Sequence, residues 1–171
     1  VDIFFIGDSL IEYFDWQGRF PEKHVLNLGV AGETVEELLR RTALIASSHP
    51  APDLVFIMTG TNNAAMEDFD FLASYRNILK ALRAAYPGCK VFVHSLLPML
   101  LDWVSQEAVQ RVNRSIKEMA GEEGAGFIDL YAPFLKGREG LFLPDGVHLS
   151  ERGYDLWAEE VEKAINPSER Q

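Results

Sequence analysis

Four short segments of the chain carry side chains suited to acyl transfer. They are Gly7-Asp8-Ser9-Leu10, Asn27-Leu28-Gly29-Val30-Ala31-Gly32, Gly60-Thr61-Asn62-Asn63 and Asp145-Gly146-Val147-His148. A serine hydroxyl is a weak nucleophile until a base takes its proton. A histidine can do so near neutral pH, and a carboxylate fixes its tautomer and stabilises the imidazolium that forms. Ser9, His148 and Asp145 supply one of each. Acyl transfer also needs donors aimed at the oxyanion of the tetrahedral intermediate. The backbone N–H groups of Ser9 and Gly32 and the side-chain amide of Asn62 are candidates, and glycine at position 32 lets the backbone come close to a ligand.

Each segment alone is ordinary. Gly-Asp-Ser is good turn chemistry, Gly32 can be a turn glycine and Asn62 an Asx turn. Asp8 reads as a local hydrogen-bond acceptor for the turn backbone. Asp145 and His148 could also begin a metal site, but no further ligands follow at metal-binding spacing. The chain has neither a GxGxxG nor a Walker pattern, and it lacks the G-x-S-x-G nucleophile elbow. His24 and His49 lie beside polar or loop residues and read as solvated. His94 ends a strand and either faces the site or packs as a hydrogen-bonded core histidine. Glu12, Asp15 and the acidic run at 33–37 read as solvated faces.

The elements that must position these residues are short apolar runs alternating with amphipathic segments. Strands are expected at Ile3–Ile6, Val25–Leu28, Leu54–Met58, Val91–His94 and Phe127–Leu130, all apolar enough to be buried on both faces. Helical stripes follow. Val35, Leu38, Leu39, Thr42, Ile45 and Ala46 share a face behind a Thr34–Glu37 capping box. Tyr75, Ile78, Leu79, Leu82, Ala85 and Tyr86 make a second stripe, ended by Pro87-Gly88. Val109, Val112, Ile116, Met119 and Ala120 make a third. Tyr154, Trp157, Ala158, Val161 and Ile165 make the last, after a Ser150 cap. Such alternation predicts an α/β fold with a parallel sheet covered by helices on both faces. Ligands bind such sheets outside the carboxyl ends of the strands, which is where the first three chemical segments fall.

Composition narrows the partners. A length of 171 residues suits one domain over 1–171, and 47% hydrophobic residues can fill its core. No stretch approaches the about 18 apolar residues of a membrane span. A net charge of −10 disfavours nucleic acid and anionic membrane surfaces. The single cysteine, Cys89, excludes an intrachain disulfide and reads as a buried bystander. The chain opens at Val1 directly in a strand, so the native N-terminus and any signal peptide can lie upstream. Localisation is therefore open, with the cytoplasm favoured.

Taken together, the four segments resemble the GDSL esterases, the SGNH hydrolase superfamily. The family's name residues fall on Ser9, Gly32, Asn62 and His148, and its aspartate falls on Asp145. Many members have aspartate where this chain has Asn63. Gly-Thr-Asn-Asn instead is similar to the platelet-activating-factor acetylhydrolase catalytic subunits, and tilts the expectation toward short acyl groups. The resemblance implies a three-layer α/β/α sandwich around a parallel, flavodoxin-like sheet of about five strands. It implies hydrolysis of an acyl ester of a lipid or carbohydrate, or of a thioester, with no metal or organic cofactor. The rival reading is a non-catalytic sugar- or acyl-binding module on the same scaffold.

Substrate contacts are expected from Asn63 and from the apolar residues near the site. Leu10, Ile11, Tyr13, Phe14 and Trp16 follow Ser9, and Leu100, Leu101 and Trp103 lie in a loop after the fourth strand. The loop residues either pack on the helix layer, form a wall for an acyl chain or make a homodimer contact.

Overall fold

The computed structural model describes residues 1–137 and 139–167. Five strands form a wholly parallel sheet: β1 (Asp2–Gly7), β2 (His24–Gly29), β3 (Leu54–Met58), β4 (Lys90–His94) and β5 (Gly126–Ile128). Their spatial order is β2-β1-β3-β4-β5. The helices, in chain order, are α1 (Ser9–Glu12), α2 (Trp16–Arg19), α3 (Val35–Ser48), α4 (Thr61–Ala65), α5 (Leu72–Ala85), α6 (Gln106–Glu122), α7 (Tyr131–Lys136) and α8 (Glu151–Ile165). None of them is long and apolar enough to cross a membrane.

Strand alternation sorts the apolar residues into two layers. Phe4, Ile6, Val55, Ile57 and Val93 join the buried faces of α3, α5 and α6 on one side. Ile3, Phe5, Phe56 and Met58 join α1, α2, α7 and α8 on the other. The second layer is the more aromatic. Trp16 stacks on Phe5 with centroids 4.0 Å apart, and Trp157 meets Trp16 edge-on at 5.1 Å. Burying each such ring stabilises the fold by roughly 1.5–3 kcal/mol. Their polar edges are matched as well. The Trp16 indole donates to the Ile11 carbonyl at 2.9 Å, and the Trp157 indole donates to His94 Nε2 at 3.1 Å.

The helix starts follow their caps. Thr34 and Glu37 form the expected capping box, and the Ser150 hydroxyl accepts from the Gly153 N–H. The fifth strand is shorter than its sequence suggests. The Leu130 and Tyr131 N–H groups donate to the buried Ser95 hydroxyl at 2.9 and 3.0 Å, which turns the chain into α7. Cys89 is half-buried ahead of β4, and burial pushes its thiol up to about 11. His49, expected in solvent, is half-buried with its ring edge-on to Phe4.

Because β1 lies between β2 and β3, successive connections leave it in opposite directions. The carboxyl ends of β1 and β3 therefore border the crevice typical of such sheets. Ser9 follows β1 with only Asp8 between, and Asn62 follows β3.

Candidate active site

Ser9 is the first residue of α1. The side chain of Asp8 caps that helix by accepting from the Leu10 N–H at 3.0 Å. The tight strand-to-helix turn presents the Ser9 hydroxyl to the crevice and rolls the next two residues inward. Leu10, expected beside a substrate, is therefore 1% exposed and belongs to the core, as does Ile11. The Tyr154 hydroxyl donates to the Leu10 carbonyl at 2.8 Å, tying α8 to α1.

His148 reaches Ser9 from the segment ahead of α8. A bridge pairs Phe142 with Leu149, and the Leu143 N–H donates to the His148 carbonyl at 2.8 Å. Within this closed loop Asp145 Oδ1 accepts from the N–H groups of Val147 and His148, both at 2.9 Å. Its Oδ2 faces His148 Nδ1 at 2.5 Å, and His148 Nε2 lies 2.9 Å from Ser9 Oγ. Burial works to raise the Asp145 carboxyl, but these backbone and ring hydrogen bonds and the nearby imidazole hold it below the usual carboxylate value. Asp145 thus stays an acceptor, which requires the Nδ1 proton and leaves Nε2 free to accept from Ser9. A chain of this kind can activate a serine hydroxyl. The Tyr13 ring sits 5.6 Å from the His148 ring and is well exposed, covering one side of the base.

Gly32 and Asn62, the candidate oxyanion donors, follow β2 and β3, the strands on either side of β1. Gly32 adopts φ +80°, a left-handed conformation suited to glycine, and a Cβ there would meet no atom within 4 Å. Backbone conformation, not crowding by the protein, accounts for the glycine. Among the described residues no group accepts from its N–H. Gly60 turns with φ +112° beneath the Phe71 ring, which a Cβ would strike at 2.9 Å, and this turn launches α4 with Asn62 at its second position. The Asn62 amide donates one hydrogen to the Glu33 carbonyl at 2.9 Å and has a second to offer.

Two other expectations change. Asn63 is 1% exposed and its side chain is spent on the protein. Its Oδ1 accepts from the Val35 N–H, an unpaired donor of the first turn of α3, at 3.0 Å. Its amide donates to Glu36 at 2.9 Å and Asp68 at 3.1 Å. It joins two loops and does not face a substrate. Within the acidic run at 33–37, Glu37 is exposed and Glu36 half-buried, but Glu33 is buried and paired with Arg41. Glu12 and Asp15 are exposed, as expected, and also accept from the N–H groups of Ala31 and Gly18.

His94 does not enter the site. It is fully buried between the Ile57 carbonyl and the Trp157 indole, and burial lowers it to about 4. Because Nε2 accepts from Trp157, Nδ1 carries the proton and donates to Ile57. Asp8 is the other buried titratable group. Burial pushes its carboxyl up to about 7, the Leu10 N–H acts against this, and Glu33 adds to it. Its Oδ2 has no partner among the described residues.

The loop after β4 divides as its sequence left open. Leu96, Leu97 and Met99 enter the core, and Leu101 is partly buried against it. Leu100 and Trp103 remain exposed. The Leu100 N–H donates to the Gly146 carbonyl at 2.9 Å, and the Trp103 indole donates to the Ala65 carbonyl at 2.8 Å. The loop therefore links the Asp145–His148 segment to the end of α4. Among the described residues, no group of three or more His, Cys, Asp or Glu side chains is placed to hold a metal ion.

The GDSL-like lipase/acylhydrolase family matches residues 5–156, and the chain belongs to that family. Among curated relatives, the platelet-activating factor acetylhydrolase IB subunit alpha1 of Pongo abelii is 28% identical over 162 residues, spanning 90% of this chain and 70% of the relative. Two solved structures share the fold. One is a member of the lipolytic G-D-S-L family from Veillonella parvula, with TM-score 0.78, 22% identity and coverage of 96% of this chain and 98% of that one. The other is an acetylxylan esterase from Geobacillus stearothermophilus, with TM-score 0.75, 22% identity and coverage of 96% and 93%.

Proposed function

We propose that this protein hydrolyses acyl esters through an acyl-enzyme formed on Ser9. The observation that carries the reading is the unbroken chain from Ser9 Oγ to His148 Nε2 at 2.9 Å and from His148 Nδ1 to Asp145 Oδ2. Ser9 Oγ attacks the ester carbonyl while His148 Nε2 takes its proton. Asp145 stabilises the resulting imidazolium. The oxyanion is met by the N–H groups of Ser9 and Gly32 and by the free Asn62 amide hydrogen, an arrangement in which each donor is worth roughly 3–4 kcal/mol. Collapse expels the alkoxide, which His148 protonates. Water then attacks the acyl carbonyl as His148 takes its proton; the bond to Ser9 Oγ breaks, His148 returns the proton to Oγ, and the acid leaves.

The acyl group is short, and the substrate is an acetyl ester or a close homologue. The names of the relatives, an acetylhydrolase and an acetylxylan esterase, favour acetyl transfer. Leu100, exposed and tied through its N–H to the Gly146 carbonyl of the Asp145–His148 loop, and Trp103, exposed three residues further along the same segment, are the residues we assign to an apolar wall for the acyl group. The Trp103 indole donor is already engaged, so its ring offers an apolar face.

A series of p-nitrophenyl esters of increasing acyl length tests both parts. Acetate should turn over with a burst of one nitrophenolate per protein, and rates should fall with chain length. Ser9→Ala should abolish the burst. Full turnover by Ser9→Ala would overturn the mechanism, and a preference for long chains would overturn the substrate class.

A further inference from the structure

The Gly32 N–H and the Asn62 amide come from different elements, and one residue connects them. Glu33 follows Gly32 directly, and its carbonyl accepts the Asn62 amide hydrogen at 2.9 Å. Its own N–H donates to the Val30 carbonyl at 3.3 Å, closing the turn that holds Gly32. Its carboxylate is 6% exposed and is held by two nitrogens on one edge of a guanidinium fork. Arg41 Nε donates to Oε2 at 2.7 Å and Nη2 donates to Oε1 at 2.9 Å. The same Nη2 donates to the Leu28 carbonyl at 2.8 Å, near the end of β2.

A bidentate arginine–carboxylate pair fixes direction as well as charge. Its net gain in stability is small once both groups are taken from water, so stability alone is a weak reason to bury one here. Its position is informative. The pair immobilises the Gly32–Glu33 backbone against the sheet. The planar Asn62 amide, with one hydrogen spent on the Glu33 carbonyl, then has a fixed direction for the other.

We propose that Glu33 and Arg41 are positioning residues of the oxyanion hole: their buried ion pair makes the Gly32 N–H and the Asn62 amide converge on one oxygen. This rests on the Ser9 ester-hydrolysis reading above. A donor displaced by about 1 Å can cost about 100-fold in rate. The loss should fall on the transition state, because the oxyanion exists only there.

The test measures kcat and KM with p-nitrophenyl acetate for Glu33→Gln, Arg41→Lys and the double variant, with melting curves and Ser9→Ala alongside. Gln keeps the size of Glu33 and loses the charge. Lys keeps the charge of Arg41 but cannot bridge two carboxylate oxygens and Leu28 as a planar fork. Each single variant should lose about 10- to 100-fold in kcat, with KM within about twofold. The double variant should be no worse than the poorer single, since the pair acts as a unit. In an Asn62→Ala background the Glu33→Gln loss should shrink, a coupling that general loosening of the fold would not produce. Should Glu33→Gln not fold, Arg41→Lys carries the same expectation. Wild-type kcat in folded variants, or a loss confined to KM, overturns the proposal. If Ser9→Ala is inactive while both variants turn over normally, the positioning role alone falls; if Ser9→Ala is active, the hydrolysis reading falls first.

Discussion

The two sides of the crevice are held by different means. The triad side is held locally. Asp145 orients His148 over three residues of sequence, its carboxylate also takes two N–H groups of the same turn, and its side chain is 49% exposed. The donor side is held at long range and in the interior. Asn62 bonds to Glu33 across 29 residues, Asn63 bonds to Val35 across 28, and the Glu33 carboxylate is buried against Arg41. In the proposed mechanism the moving parts of the proton relay tolerate solvent, because the histidine gains and loses charge. Donors that wait for a developing charge are of use only when already fixed, and fixing them needs a rigid, buried frame.

This difference predicts how each side breaks. The largest effect short of removing Ser9 is expected from Asp145→Asn. The change leaves the loop acceptor in place but allows the wrong His148 tautomer, and kcat should fall about 10⁴-fold with little change in melting temperature. A fall below about tenfold would mean that the Asp145–His148 bond does not orient the base. Asn62→Ala comes next. It removes one donor, and kcat should drop by about 10²–10³-fold while KM holds. If KM rises instead, Asn62 contacts the bound ester and not the oxyanion.

The smallest effect concerns Asp8, which feels both His148 and Glu33 and so lies between the two sides. Tyr75 and Tyr154 are also within its electrostatic reach. Its carboxyl stands at about 7 in the fold against 3.8 when unperturbed. Between those values the native state keeps a proton that the unfolded chain has released. The Asp8 contribution to stability therefore declines as pH rises from about 4 to about 7 and then levels off. Asp8→Asn removes that titration. The urea midpoint of the wild type, relative to the variant, should fall from pH 5 to pH 8. A constant difference would show that Asp8 is ionised throughout.

What could be read from sequence follows the same division. The pairing of Asp145 with His148 was legible because it spans three residues, the approach of Ser9 to His148 only because four distant segments together resemble one family, and the strands because each is a short apolar run. The end of β5 was not, since Ser95 draws Leu130 and Tyr131 off the ladder from 35 residues away. The capping box of α3 was visible, yet Glu33 beside it looked like another solvated acid, because nothing local shows that Arg41 folds back onto it. Leu10 looked available because it follows Ser9, and only helix geometry turns it into the core. Asn63 looked like a substrate contact because it follows Asn62, while its partners lie on α3 and at Asp68.

The central claim is that Ser9 is the nucleophile. Treating the protein with a fluorophosphonate and mapping the adduct by peptide mass spectrometry tests it most directly. One phosphonyl group should be found on Ser9, with loss of ester hydrolysis in proportion to labelling. An adduct on another residue, or hydrolysis that persists in fully labelled protein, would contradict it.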